Sequence, residues 1–304
     1  MVAGLRRWAA STMAGALAVA CVLGLGACSF TTPSLDEAED VAAEQLVDDD
    51  LLVTPGTLTV ALDTTDAPQA MTGSDGTLDG YAVDVARALA DRLGLEVAFV
   101  GAPSAEEALS TNEADIYLGA TTDDEGDAVV VHGEYLQNAT AVFAHGDADA
   151  TVTADDLKDA PIGAQDGSSS QEALAQVGIV ASNTYTNVNE CFEALDAGEV
   201  DYVVCDVTAG AYLARTYDDI NFAGILSMPV SYGIGYASGA TDLADEVATV
   251  FEEMASDGTL DAIHALWYGT VPLSVSDAVV SGVDTAAAPE GDAEQVEGDM
   301  NSID

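Results

Sequence analysis

The sequence predicts an α/β protein built in two lobes. Three observations carry that prediction: a β-α-β unit within Gly56–Val100, a second α/β series from Thr153 onward, and polar segments that each follow a predicted strand. With 304 residues and a hydrophobic fraction of 49%, the chain can bury a core of that size.

The first unit is the clearest. Leu58–Leu62 is short and apolar and reads as a buried strand. Asp63–Gln69 is a polar loop. Tyr81, Val85, Ala88, Leu89 and Leu93 then recur at helical spacing, with Gly94 placed as a C-cap, and Leu95–Val100 is the second strand. Ser104 is positioned as an N-cap with Glu107 three residues on. Ala114–Leu118 is the next strand, followed by the polar loop Gly119–Asp127, and Thr140–Ala144 is another strand.

The second series opens at the capped helix of Thr153–Leu157. Pro161–Ala164 is a strand, and the turn Gln165–Ser170 leads into a helix. That turn lacks the Lys of a GxxxxGK phosphate loop, but its Ser caps and free helix-start N–H groups make an anion-friendly pocket. Glu190–Ala197 (helix), Asp201–Asp206 (strand), Thr208–Thr216 (helix) and Ile220–Leu226 (strand) follow. Ser231–Ala237 reads as a crossover strand, and Leu243–Met254 with Leu260–Trp267 as a closing helical pair. Residues 273–304 are Ala-, Asp-, Glu-, Gly- and Ser-rich without periodicity and are expected to be a disordered acidic tail.

The N-terminus reads as a targeting segment. Arg6 and Arg7 precede the apolar run Met13–Gly26, and Leu25-Gly26-Ala27-Cys28 has the pattern of a lipobox. Residues 1–27 are expected to be a lipoprotein signal peptide, Cys28 the lipidation site, and 28–55 an acidic tether. The expected location is the extracytoplasmic face of the cell membrane, held through that lipid.

The formal net charge is −48. Beyond residue 27 only Arg87, Arg92, Lys158 and Arg215 oppose 54 acidic residues. Nucleic acid is excluded as a partner, because nothing could displace phosphate counterions. Cys191 and Cys205 are the two cysteines of the body. A helix opening at Cys191 and a strand closing at Cys205 end at one level, which permits a disulfide worth about 3 kcal/mol in the chain-entropy model. Two buried thiols satisfy the sequence equally well.

Catalysis has little support. His132, His145 and His264 are scattered without ligand spacing, and no nucleophile elbow, HExxH or EF-hand pattern occurs. Asp123, Asp124, Glu125 and Asp127 lack the alternation of a Ca²⁺ loop and read as a solvated acidic turn. No metal, cofactor or catalytic residue is assigned. Binding is better supported: Asp63–Gln69, Gly119–Thr122, Gln165–Ser170 and Asp206–Thr208 all follow strands, where ligands of open α/β sheets sit.

The segments GTLTVALD, DGYAVDVARALADRLGLEVAFV and EALSTNEADIYLGATT, followed by DLKDAPIGAQDGSSSQEAL, CFEALDAGEVDYVVCD, YGIGYASG and EEMASDGTLDAIHALWYG, carry a resemblance. In that order, over roughly Gly56–Gly269, the chain resembles the family 3 solute-binding proteins of bacterial ABC importers, the polar-amino-acid branch. The resemblance implies a periplasmic-binding-protein-like fold of type II with two crossover hinge segments. Lobe 1 would be 56–137 with 233–272, and lobe 2 would be 138–232. It also implies a monomer that closes over a small polar solute and serves an ABC permease. The alternative is a ligand-sensing or interaction lipoprotein on the same fold.

The family's ammonium-pairing acid falls on Asp206, its helix-start hydroxyls on Ser168 and Ser169, its Gly-x-Thr on Gly119 and Thr121, and its first-loop acid on Asp63. Its carboxylate-clamping Arg falls on Gly126, and its first-loop aromatics on Asp66 and Gln69. Those departures remove the clamp and put acid and amide in place of the aromatics, which suits an amine-bearing, cationic solute.

Overall fold

The structure, a computed structural model, describes residues 44–146 and 151–285. The signal segment, Cys28, the tether up to residue 43 and the tail from residue 286 lie outside the described residues.

Lobe 1 begins with strand β1 (Thr57–Leu62), whose last five residues are all buried, as a parallel strand covered on both faces requires. A small hairpin of β2 (Met71–Thr72) and β3 (Leu78–Asp79) follows the first loop. Helix α1 (Tyr81–Leu93) buries the stripe Tyr81, Val85, Ala86, Leu89 and Leu93, and Gly94 closes it by donating to the Ala90 and Asp91 carbonyls. Then come β4 (Glu96–Gly101), α2 (Ala105–Ser110), β5 (Ile116–Ala120), and a single 3₁₀ turn at Thr122–Asp124. Ser104 caps α2 by accepting from the Glu107 N–H.

The long strand β6 (Val129–Asn138) leads out of lobe 1, and β7 (Thr140–His145) opens lobe 2. Lobe 2 continues with α3 (Ala154–Lys158), β8 (Ile162–Gln165), α4 (Ser169–Gln176), β9 (Asn183–Tyr185), α5 (Val188–Asp196), β10 (Tyr202–Asp206), α6 (Val207–Ala214) and β11 (Ile220–Ile225). The chain returns through β12 (Val230–Ala237) and ends lobe 1 with α7 (Thr241–Ser256) and α8 (Thr259–Tyr268).

Two five-stranded sheets result, in the orders β4-β1-β5-β12-β6 and β11-β7-β10-β8-β9. In the first, β1 runs parallel to β4 and β5, and β12 is antiparallel to β5 and β6. In the second, β10 is parallel to β8 and antiparallel to β7. Helix α6 lies so close on β7 that a Cβ at Gly210 would sit 2.1 Å from the Phe143 ring. His264 on α8 is buried against Tyr81 and Tyr268, with ring centroids 6.0 and 5.1 Å away, and burial pushes its pKa down to about 4. It is a neutral core residue.

Three boundaries differ from the sequence reading. The tether does not run free to residue 55: Val47 and Leu52 are buried on lobe 1, and the Asp115 carboxylate accepts from the Val53 and Thr59 N–H groups at 2.7 and 2.6 Å. Val230–Tyr232 pair with β6 in the lobe 1 ladder instead of belonging to lobe 2. The expected tail is ordered through Thr285. Val275 and Val280 are buried, Val279 bridges Ile225 of β11, and Ser281 bridges Thr153. The apolar spacing of Val275, Val279 and Val280 supplies what the polar composition around them conceals. This segment is therefore a third passage from lobe 1 to lobe 2. Gln137, at the end of β6, holds its start: its Oε1 accepts from Ser274 Oγ, the Val275 N–H and Ser276 Oγ at 2.9–3.0 Å.

Cys191 and Cys205 are both free and buried. The Cys191 thiol donates to the Asn187 carbonyl at 3.4 Å, inside the first turn of its own helix, and burial pushes it up to about 11.

Candidate functional site

A cleft of about 1000 Å³ opens between the lobes, lined from both sheets and from the hinge. Its lobe 1 wall starts at the loop after β1. That loop is fastened to the start of α1, where the Tyr81 and Ala82 N–H groups donate to the Pro68 and Gln69 carbonyls at 3.1 Å. The approach requires Gly80, since a Cβ there would fall 2.1 Å from the Gln69 carbonyl oxygen, and its φ of +154° suits glycine. The loop thus presents Asp63 and Asp66 to the cleft in a fixed frame. Asp63 Oδ1 accepts from Thr65 N and Oγ1 at 2.8 and 2.7 Å. The Asp66 carboxylate accepts no hydrogen bond from the described residues.

Further along this wall, Gly119, Thr121, Asp123 and Asp124 follow β5. Thr121 caps the 3₁₀ turn, and its N–H and hydroxyl both donate to Asp124 Oδ2, at 2.7 and 3.1 Å. Opposite, the ends of β10 and the starts of α4 and α6 bring up Asp206, Ser169 and Thr208. Ser170 Oγ donates to Asp206 Oδ1 at 3.2 Å. The hinge contributes Asn138 and Tyr232.

The electrostatics are one-sided. Five aspartates line the cleft (Asp63, Asp66, Asp123, Asp124, Asp206), and no Lys, Arg or His does. Asp66 is open to cleft water yet surrounded by protein. That partial desolvation, with Asp63 and then Asp206 nearby, pushes its carboxyl up to about 6. Burial also raises Asp206, against the lowering pull of Ser170. The four cations of the described residues are engaged elsewhere. Arg87 pairs with Asp84 and Asp79, Arg92 with Asp257, and Lys158 with Asp155. Arg215 donates to the Trp267 carbonyl and lies over the Tyr212 ring. Among the described residues no group of three or more His, Cys, Asp or Glu could hold a metal ion, and no helix is long and apolar enough to cross a membrane.

Of the residues singled out in the sequence, Asp63, Asp66, Gly119, Thr121, Ser169 and Asp206 meet in this cleft. Gln69 and Ser168 do not line it. Gln69 is buried behind the loop, its side-chain amide beside the Tyr268 hydroxyl. The cause is the loop's attachment to α1, which turns position 69 inward while position 66 faces the cleft. Ser168 spends its hydroxyl on the cap of α4, accepting from the Gln171 N–H and donating to the Gln165 carbonyl. Gly126 is exposed outside the cleft, with nothing within 4 Å of an added Cβ.

The sequence reading missed Tyr117, Tyr232 and Asn138 as lining residues and Ser170 as the partner of Asp206. Strand alternation could have found Tyr117, two residues before Gly119 and on the same face of β5. Tyr232 and Asn138 carry no such signal, because they reach the cleft only through pairing of β6 with β12.

Comparison with known proteins agrees with this architecture. The family model for bacterial extracellular solute-binding proteins, family 3, matches residues 58–270. The chain is 29% identical over 223 residues to the L-cystine-binding protein TcyJ of Escherichia coli (strain K12), covering 70% of this chain and 83% of that protein. Among solved structures, an ancestral cationic amino acid solute binding protein (AncCDT-1) matches with a TM-score of 0.59 and 26% identity, over 70% of this chain and 96% of that one. A polar amino acid ABC uptake transporter substrate binding protein from Streptococcus thermophilus shares the fold, with a TM-score of 0.67 at 19% identity over 78% and 94% of the two chains.

Proposed function

The chain belongs to the bacterial extracellular solute-binding proteins, family 3, and from that premise we propose that it is the solute-binding component of an ABC importer for a small cationic solute. The observation that carries the charge preference is the inter-lobe cleft lined by five aspartates and no basic residue. The likeness to a cationic amino acid solute binding protein supports the same sign of charge. L-cystine, which the E. coli relative binds, carries two carboxylates, and this cleft offers them no cationic partner.

In this reading the solute bridges acids of both lobes, Asp63 and Asp66 on one side and Asp206 on the other. Closure about the segments at 138–140 and 227–230 then presents the closed form to a permease. Cys28 anchors the protein by lipid at the extracytoplasmic face, as a monomer, and no covalent chemistry is involved. A thermal-shift panel of cationic amino acids, diamines, L-cystine and acidic amino acids tests the charge preference. The cationic compounds are expected to raise the melting temperature, with a rise that grows as the logarithm of concentration above Kd. An equal rise with acidic amino acids, or no rise with any cation, would refute the reading.

A further inference from the structure

A ligand of this cleft must supply what the protein lacks. The Asp66 carboxylate has no donor among the described residues, and Asp206 has one, Ser170 Oγ on Oδ1. An ionised carboxylate can accept about four hydrogen bonds, so both walls call for N–H donors carrying positive charge. Asp206 is deeply set, at the start of α6, and no hydrogen bond from the described residues reaches its Oδ2.

What the cleft cannot supply is equally specific. An α-amino acid brings a carboxylate as well as an ammonium, and burying that carboxylate requires donors. Two hydroxyls about the cleft already point at the protein's own acceptors, Thr121 at Asp124 and Ser170 at Asp206, and Ser169, which lines the cleft, adjoins that Ser170–Asp206 pair. Two N–H groups at the start of α6 are taken too, Val207 by the Ala139 carbonyl and Thr208 by Asn138 Oδ1. The start of α4 keeps donors free, but Ser170 there already carries Asp206, an anion that repels a second one. No guanidinium or ammonium comes within the lining to offset that repulsion.

We propose that the cleft selects amines without a carboxylate, a diamine or a guanidino-amine placing one cation at the Asp63–Asp66 wall and the other at Asp206, over the α-amino acids that carry the same side chain. This rests on the cationic-solute reading above and narrows it to a substrate class.

Calorimetric titration of the full chain with matched pairs tests it: cadaverine against L-lysine, and agmatine against L-arginine. Each pair differs by one carboxylate and keeps the side-chain cation. The expected result is at least tenfold tighter binding of the decarboxylated member in at least one pair. Asp206→Asn is expected to weaken that amine tenfold or more while the free protein melts no lower, because the substitution removes a buried charge. Lysine and arginine each binding as tightly as the matching amine would overturn the selection while leaving a cation-binding cleft intact. Absence of binding by all four would overturn both. An Asp206→Asn variant that melts like the parent and binds the amine unchanged would remove the lobe 2 contact and with it the proposal.

Discussion

Asp66 stands where the family resemblance expects an aromatic, and burial beside Asp63 and Asp206 pushes its carboxyl up to about 6 from an ordinary 3.8. The titratable groups facing it are Asp63 from its own loop, Asp206 from the opposite wall, and Tyr117, Tyr135, Tyr232 and Tyr268, whose hydroxyls burial keeps neutral. The folded protein therefore holds a proton on Asp66 where the unfolded chain has lost it. Folding stability of the free protein should rise as pH falls through the window from about 6 to 3.8. Amine affinity should move the other way, weakening by about tenfold between pH 7 and pH 5 as the carboxylate is neutralised. Melting curves and titrations at the two pH values check both signs, and Asp66→Asn should flatten both. Position 66 was legible as a loop acid after a strand. Its contrast with Gln69 was not, because only the attachment of the loop to α1 decides which of the two faces the cleft.

At the scale of elements, the segment after α8 ties the lobes at a place the two hinge strands do not. Val275 and Val280 bury their side chains on it, and each is worth about 1.5–3 kcal/mol of apolar transfer as an upper estimate. Ending the chain at Pro272 should lower unfolding stability by a few kcal/mol on that scale, read by denaturant titration. Gln137→Ala should leave the fold intact and speed hydrogen exchange at the Val275 amide, which donates to Gln137 Oε1 at 2.9 Å. An unchanged exchange rate would mean that the side chain does not hold the segment. Most regular elements could be read from pattern. The stripe of α1 with Gly94 behind it, and the buried run of β1, are determined by their own residues. The hairpin of β2 and β3 was hidden because two-residue strands have no period. The full length of β6 was hidden because His132, Gly133 and Glu134 interrupt its apolar pattern, and antiparallel pairing with β12 carries the strand across them. Residues 274–285 were hidden because their few valines gain meaning only against the edge strand of lobe 2.

For the whole molecule, charge and fold lead to one conclusion. A chain with a formal net charge of −48 places the four cations of its described residues in pairs and contacts outside the cleft, and the only charged side chains lining the cleft are aspartates. The two-lobed architecture was legible because the principal strands and helices of both lobes agreed locally with it. The solute was less legible: a family motif names positions, but the balance of charge in the cleft depends on which side chains the fold brings inward. The central claim, that this cleft holds a small organic cation, is tested most directly by native mass spectrometry of the full chain as purified, followed by release of the bound solute. The expected result is a stoichiometric adduct that is released on denaturation and carries a net positive charge at neutral pH. A stoichiometric anionic or uncharged solute in the same cleft would contradict it.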